Sequence, residues 1–348
     1  APALRVAGTI VPRINSFDFI RLADELSNPN VSIFRKIRLA NALSVRADRN
    51  LDSIVYKVRN SKSFATEFDP LSDGAVSNAA RAYGVVIQSI VDSLSPSLRG
   101  KKVYIPEGII YGLPATEKQF SGNLPAGTSV QIPADQALVA GVYWEDQDNY
   151  RVDLDLSVSN INEKIGWDGA YRNNNASVLF SGDNTSAPNG ASEVFWFDPT
   201  TSGSWSMNIN YFNHNTDVPV PFKIVVGTAD ASQIGRNFVI DPNRLLLSAS
   251  VTIDVKQMNL GIVAADPTGF HRFFLSSSEA GGGISSHHNE HGERSRKFMM
   301  ASMLNAPTLN EVLANAGATF VDDPLLADEG LSLSPQAIDK TTFLSLLS

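Results

Sequence analysis

The pattern of apolar and turn-forming residues changes near Lys101, and this change constrains the fold more than any other feature of the sequence. From there to about residue 278, short runs rich in β-branched and aromatic residues alternate with clusters of Gly, Pro, Asn and Asp. The strands of an antiparallel β-sandwich have this pattern because each strand is short and ends in a turn. The runs lie at residues 102–105, 129–132, 136–144, 152–160, 177–180, 193–197, 204–212, 221–227, 237–240, 245–253, 260–263 and 270–275. This set of runs predicts a central antiparallel β-sandwich of two packed sheets.

Both flanks of this block show helical periodicity instead. The predicted helices span residues 16–26, 33–43, 51–58, 75–94, 294–304 and 308–316. Ser16 and Thr308 are the expected N-caps, Gly317 is the expected stop, and the fourth helix is expected to end before Ser95 and Pro96. The predicted fold class is therefore α+β.

The predicted domain organisation has three parts. A mostly α-helical N-terminal region covers residues 1–100, the β-sandwich covers residues 101–278, and a flexible loop with a small α-helical C-terminal tail covers residues 279–348. The loop is predicted from the three consecutive glycines at residues 281–283.

Composition excludes several classes of function. The net charge of −8 argues against nucleic acid as a partner, and the absence of cysteine excludes disulfides and thiolate metal sites.

No apolar run reaches the roughly 18 residues of a membrane-spanning helix, and the first residues lack a secretory pattern, so a cytoplasmic location is expected. The basic residues within 1–62 could dock on an acidic surface; the favoured interpretation is that Arg35, Lys36, Arg38, Arg46 and Arg49 form solvated helix faces.

Two segments are unusually rich in oxygen donors. In the run from residue 152 to 160, strand alternation puts Asp153, Asp155 and Ser157 on one face, whereas Leu154 and Leu156 face the core. A second segment, residues 181–193, gathers carboxylate, amide and hydroxyl groups in a loop that contains two glycines. Carboxylates about 7 Å apart on a strand repel one another unless they are solvated or bridged by a hard cation that takes six to eight oxygens. Exposed strand and turn residues are the alternative interpretation, and the two segments together favour calcium.

These segments resemble the signature of the TerD domain, found in bacterial tellurium-resistance and stress-response proteins. The resemblance lies in the sequence from Asp153 to Ser157, in residues 181–184 and in Glu193 beyond a Gly-containing loop, and Trp144 fits ahead of them. It implies a calcium-binding β-sandwich. Carried over by position, the ligands it implies are Asp153, Asp155 and Asp183, with Ser157, Asn184, Asn189, Gly190 and Glu193 as weaker candidates. The chain looks like the longer members of the family, in which helical segments flank the sandwich.

Other constellations are weaker. His287, His288 and His291 with Glu290 have spacings that can bind zinc, although a polar loop explains them better. Glu145, Asp146 and Asp148 could suggest a glycosidase pair, and exposed turn residues are the better interpretation. The aromatic residues Trp196, Phe197, Trp205, Tyr211 and Phe212 could form a carbohydrate or peptide platform, and core packing is more common for such a pattern. The sequence contains neither a Gly-x-Ser-x-Gly elbow nor a Walker loop.

Three hypotheses about function follow. The first is a non-enzymatic, cytoplasmic calcium-binding protein of TerD type whose metal-stabilised loops present a surface to protein partners. The second is a structural component of a large particle, virion-like, that self-assembles with the sandwich as scaffold. The third is a carbohydrate-binding sandwich.

Overall fold

The computed structural model of the protein describes residues 18–57, 63–133, 135–276 and 290–347. It is a mixed α and β protein with several antiparallel sheets. Its helices are α1 (Phe19–Leu26), α2 (Ile33–Arg46), α3 (Asp73–Leu98), α4 (Glu290–Leu304), α5 (Leu309–Asn315) and α6 (Lys340–Ser345), with single 3-10 turns at Ala231–Gln233, Pro242–Arg244 and Pro324–Leu326. No helix in these ranges combines the length and the apolar character needed to cross a membrane.

Most of the strands lie in the predicted β-rich part of the chain. They are β1 (Ser53–Lys57), β2 (Ser63–Glu67), β3 (Lys102–Tyr104), β4 (Ile109–Ile110), β5 (Phe120–Ser121), β6 (Leu124–Pro125), β7 (Ser129–Pro133), β8 (Leu138–Trp144), β9 (Leu154–Ser159), β10 (Lys164–Gly166), β11 (Val178–Phe180), β12 (Ala191–Phe197), β13 (Gly203–Tyr211), β14 (Val220–Thr228), β15 (Leu245–Ile253), β16 (Gln257–Ala265), β17 (Phe270–Leu275) and β18 (Thr319–Val321).

Two large sheets organise these strands. One has seven strands in the order β10-β9-β13-β16-β17-β7-β4, and the other has five in the order β11-β12-β8-β14-β15. Every pairing in both sheets is antiparallel. Side chains from the two sheets share one buried apolar cluster, in which Trp144, Phe195 and Phe197 of one sheet join Leu154 and Leu156 of the other. The sheets therefore bury a common core.

The N-terminal helices are held together by their apolar faces. Leu22 and Leu26 of α1 and Ile37 and Leu43 of α2 are buried, and both helices pack against α3. The N-cap of α1 is Asp18, whose carboxylate accepts the amide of Arg21 at 3.1 Å. The expected cap, Ser16, lies outside the described residues. Asp18 is closer to the helix and has the same capping chemistry.

Three expectations for this region are wrong. The helix predicted over 51–58 is the hairpin strand β1, because Ile54 and Val55 are β-branched and find a partner in β2. Helix α3 was expected to end before Ser95, but it continues through Pro96 to Leu98. The helix tolerates this proline because, in the last turn, it removes at most one backbone hydrogen bond. Lys36 is buried, not solvated, and its ammonium donates to Ser89 O at 3.2 Å and Ser93 Oγ at 2.9 Å, because it lies on the face of α2 that packs on α3.

Within the β-rich part, the strand predicted at 237–240 is absent. Asn237 has a φ of 59°, a left-handed conformation that interrupts an extended run. The short parallel pairing of β18 with β3 and the helix α6 were not predicted. A three-residue strand that pairs with a partner more than 200 residues away in sequence has no local signal.

Helices α4 and α5 lie at the predicted segments 294–304 and 308–316, although α4 begins four residues earlier. Thr308 caps α5 in a reciprocal capping box with Glu311, and Gly317 follows the helix with a φ of 87°. Helix α4 packs against β1, β2 and α2 and touches β13. The N-terminal region and the segment after the β-rich part therefore contact each other beside the seven-stranded sheet. The flexible loop predicted from residue 279 falls mostly on residues 279–289, which lie outside the described ranges.

Candidate metal centre

Three aspartates converge where the two large sheets meet. Asp153 immediately precedes β9 and Asp155 is its second residue, and the alternation of the strand buries Leu154 and Leu156 in the core on the opposite face. The face that carries the aspartates is also covered, since Asp153 and Asp155 are each only 3% exposed. Burial of two neighbouring carboxylates is costly without compensation.

The third carboxylate comes from the loop between β11 and β12. Gly182, directly before Asp183, has a φ of 114°, a conformation that disfavours residues with a Cβ. One carboxylate oxygen from each of Asp153, Asp155 and Asp183 can be chosen so that all three lie within 4.8 Å of one another. The two oxygen-rich segments of the sequence therefore meet at one point.

Two oxygens of this cluster have no hydrogen-bond donor. Asp153 Oδ1 and Asp183 Oδ1 are buried and accept no hydrogen bond from the described residues. By contrast, Asp155 Oδ2 accepts from the side-chain amide of Asn210 at 2.8 Å, and Asp153 Oδ2 lies 3.4 Å from Arg151 Nη2. Buried polar atoms are nearly always satisfied, so two unsatisfied carboxylate oxygens in one cluster make this cluster a candidate cation site.

Burial also changes the protonation of the cluster. Desolvation raises the pKa of Asp155 to about 7. The negative charges of Asp153 and Asp183 act in the same direction, whereas the hydrogen bond from Asn210 acts against it. Desolvation likewise raises the pKa of Asp153, although the positive charge of Arg151 opposes it. The carboxylates are thus poorly stabilised as anions by the protein alone, and a bound cation would reverse that imbalance.

Glu193 lies beside the aspartates but is held by backbone amides. Its side chain is fully buried, Oε2 accepts the amide of Leu156 at 2.8 Å, and Oε1 accepts the amide of Asn184 at 2.7 Å. Desolvation raises its pKa well above the usual value, even though both hydrogen bonds favour the anion. Glu193 therefore joins β12, β9 and the Asp183 loop, a role that positions the aspartates.

The remaining predicted ligands occupy different surroundings. Ser157 is buried on the same strand and pairs in register with Asn208. Asn184 is buried, and its side-chain amide donates to Ser192 O at 2.8 Å. Asn189 is exposed, and Gly190 has a φ of 84° with no space for a Cβ beside Tyr143.

Three residues that support the site were not among the predicted ligands. Asn210 orients Asp155, Asn213 accepts the amide of Asp153 with Oδ1 at 3.1 Å, and Asp146 Oδ1 accepts the amides of Val152 and Ala187 at 2.8 and 2.9 Å. Asp146 was expected to be an exposed turn residue. It instead joins the residues just before β9 to the loop between β11 and β12 that carries Asp183. The alternation of Asn208 and Asn210 with apolar residues in the sequence is the only signal that could have indicated this polar face.

The other candidate sites do not form comparable clusters. Trp196, Phe197, Trp205 and Tyr211 are buried, which leaves Phe212, 52% exposed, as the one exposed member of the expected aromatic platform. Glu145 and Asp148 are exposed, in keeping with turn residues. Of the proposed zinc group, His287 and His288 lie outside the described residues, as do the side chains of Glu290 and His291.

Comparison with known proteins gives little further information. No family model matches the chain, and no curated protein matches it. Among solved structures, it is similar to a chain described as the crystal structure of unknown function protein SAV2460, with 10% sequence identity and a TM-score of 0.29. The match covers 48% of this chain and 98% of that one. The functional interpretation therefore rests on the site itself.

Proposed function

We propose that this protein is a non-enzymatic, calcium-binding protein of TerD type. In this proposal the two antiparallel sheets form a β-sandwich, and a calcium ion bound by Asp153, Asp155 and Asp183 fixes the loops at one end. Those loops present a surface to protein partners in the cytoplasm, with no role for nucleic acid. The single observation that carries the proposal is the pair of buried carboxylate oxygens, Asp153 Oδ1 and Asp183 Oδ1, that have no donor.

The geometry supports calcium as the ion. Calcium takes oxygen ligands at about 2.3–2.6 Å, so two ligands on opposite sides of one ion are up to about 5 Å apart. The separation of the three carboxylate oxygens, within 4.8 Å, suits that sphere. The site has only oxygen donors, and the sequence contains no cysteine, which favours a hard cation over a soft one.

Calorimetric titration of chelator-stripped protein tests the proposal. We expect calcium to bind at one site and to raise the melting temperature, because an ion that binds only the folded state stabilises it. The double variant Asp153→Ala with Asp183→Ala should lose both effects. Asp148→Ala is the matched control, since Asp148 is an exposed acid in the nearby turn. Magnesium at the same concentration should give a smaller rise. Wild-type protein that binds no calcium, or a double variant that still responds, contradicts the proposal.

An exposed apolar segment favours a second function, the structural component of a large self-assembling particle. Leu325 is 89% exposed, and Leu326 and Phe320 are also exposed within the same short segment after α5. Exposed apolar side chains that cluster are a common feature of contact surfaces between proteins. Gel filtration in the presence of chelator separates the two functions: particle-sized elution that is indifferent to chelator supports assembly, and a monomer that responds to calcium supports the first proposal.

A further inference from the structure

A cleft of about 450 Å³ lies among the three N-terminal helices. Ala23 of α1, Lys36 of α2 and Val85 of α3 line it, and none of the described residues that line it belongs to the candidate metal centre. Volumes of about 300–1,000 Å³ are typical of sites that bind small molecules. This helix cleft is therefore large enough for such a ligand.

Lys36 is the only basic residue among the described residues that line the helix cleft. It is 6% exposed and lies on the same side of α2 as the buried residues Ala40 and Leu43. A lysine is almost never buried to this degree without a partner of opposite charge. The position of Lys36 therefore calls for a compensating group.

The hydrogen-bond partners of the Lys36 ammonium are both neutral. Its Nζ donates to Ser89 O at 3.2 Å and to Ser93 Oγ at 2.9 Å, and Ser93 Oγ in turn donates to Ser89 O at 2.8 Å. An ammonium has three N–H donors, so one of them remains. Among the described residues, Lys36 forms no ion pair. Burial lowers the pKa of Lys36, and the negative charge of Asp92 only opposes this effect.

The other lining residues limit the kind of ligand that fits. Asp92 is exposed at the rim of the cleft, and its Oδ1 accepts a hydrogen bond from Gln88 Nε2 at 2.8 Å. Its negative charge disfavours a dianion more than a monoanion. Ala23 and Val85 give the cleft an apolar wall. A monoanion with a hydrocarbon part therefore matches both the charge and the wall.

We propose that the helix cleft binds a small organic carboxylate, which accepts a hydrogen bond from the remaining N–H of Lys36 and packs its hydrocarbon part against Ala23 and Val85. A hydrogen bond between an ammonium and a carboxylate is about twice as strong as one between neutral groups. Binding there does not depend on calcium, because the helix cleft and the aspartate cluster share no residue.

NMR titration of the isotope-labelled protein with hexanoate tests the inference, because hexanoate combines one carboxylate with a short hydrocarbon chain. Hexanamide is the matched control ligand, since it has the same chain without the charge. We expect hexanoate to bind about tenfold more tightly than hexanamide and to shift the amide resonances of Ser89 and Ser93. Acetate, which lacks most of the chain, should bind at least about tenfold more weakly than hexanoate.

Variants at two lining residues test the role of charge. Lys36→Met removes the charge but keeps an unbranched chain, and it should abolish the preference for hexanoate over hexanamide. Lys118→Met is the matched control, because Lys118 is an exposed lysine outside the cleft. Asp92→Asn removes the opposing charge at the rim and should tighten hexanoate binding about threefold.

Chemical acetylation of the wild-type protein needs no variant at Lys36. Hexanoate at about ten times its dissociation constant should slow the acetylation of Lys36 about tenfold, because the bound carboxylate covers the ammonium. Hexanamide at the same concentration should slow it much less. Lys118 should react at the same rate throughout, and peptide mass spectrometry measures both residues.

Several outcomes overturn the inference. Equal binding of hexanoate and hexanamide does so, as does a Lys36→Met variant that keeps the preference for hexanoate. Acetylation of Lys36 that hexanoate leaves unchanged would identify Lys36 as a structural residue satisfied by Ser89 and Ser93 alone. A preference for hexanoate that is lost in Lys36→Met, kept in Lys118→Met and strengthened in Asp92→Asn supports the inference.

Discussion

The carboxylate of Glu193 accepts the backbone amide of Leu156 at 2.8 Å, and this hydrogen bond crosses from the five-stranded sheet to the seven-stranded sheet. The other oxygen of Glu193 accepts the amide of Asn184, directly after Asp183. One buried side chain therefore fixes both the strand that carries Asp155 and the loop that carries Asp183. The geometry of the aspartate cluster therefore depends on a fourth carboxylate that lies outside the triad.

Replacement of Glu193 by glutamine should destabilise the protein with or without calcium. Both carboxylate oxygens of Glu193 accept hydrogen bonds from backbone N–H groups. The NH2 group of a glutamine would therefore face one of these N–H groups, and two donors cannot bond to each other. An unsatisfied buried donor costs about 1–3 kcal/mol, and we expect the free energy of unfolding in denaturant to fall by that amount. Asp148→Asn is the control, and a loss that appears only with calcium present would identify Glu193 as a ligand.

The stability of the calcium-free protein should fall as the pH rises from about 5 to about 8. The pKa of Asp155 is raised to about 7 in the folded state, from an ordinary value of 3.8, so the folded protein binds more protons than the unfolded chain between these two values. Protonation therefore stabilises the fold below neutrality, and this contribution is lost as the pH passes 7. Chemical denaturation at several pH values should show a decrease of roughly 2–4 kcal/mol.

Calcium should reverse this dependence, because it binds the ionised carboxylates and its affinity falls as protons compete for them. Asp155→Asn removes the titrating group and should flatten the pH profile of the calcium-free protein. Asp153 and Glu193, whose pKa values are raised in the same direction, should leave a residual slope. A calcium-free protein that gains stability from pH 5 to pH 8 contradicts this account.

Gly141→Ala should be strongly destabilising, because β8 lies too close to β12 at this point for a side chain. A Cβ on Gly141 would lie 2.0 Å from Glu193 O and 2.6 Å from the Cα of Val194. Overpacking against a fixed backbone costs about 3 kcal/mol. Gly203→Ala is the matched control: its φ is 88° and its surroundings are open, so the loss from backbone strain alone is about 1 kcal/mol. Thermal or denaturant unfolding that ranks the two variants equally would refute the argument.

Local patterns predicted much of the secondary structure. The predicted runs at 245–253 and 270–275 have the same bounds as β15 and β17, because each is an uninterrupted β-rich run between turns. The alternation around Asp155 also predicted which residues share the aspartate face. Short apolar runs were less informative: residues 53–57 fit a helix or a strand, and pairing with β2 decided between them.

The architecture of the site required information that no local pattern contains. Glu193 contacts Leu156 because β12 of the five-stranded sheet lies opposite β9 of the seven-stranded sheet. Asn210 reaches Asp155 because β13 pairs with β9, although the two residues are 55 positions apart in sequence. Sequence alone indicated the aspartates of the cluster, and the groups that orient them emerged only from the strand order.

Asn210→Ala should weaken calcium binding without removing any carboxylate. The amide of Asn210 donates to Asp155 Oδ2 at 2.8 Å, which orients the carboxylate and lowers its pKa against the effect of burial. Loss of a group that orients a metal ligand typically costs about 10–100-fold in affinity, and we expect the lower end of that range near neutral pH. Part of the loss arises because Asp155 holds its proton more tightly in the variant, and this part should vanish at about pH 9.

Asn208→Ala is the matched control, since Asn208 lies on the same strand and the same face but donates to Ser206. Calorimetric titrations of both variants at two pH values separate the contributions, and equal calcium affinities for Asn210→Ala and wild type would show that the hydrogen bond from Asn210 does not support calcium binding.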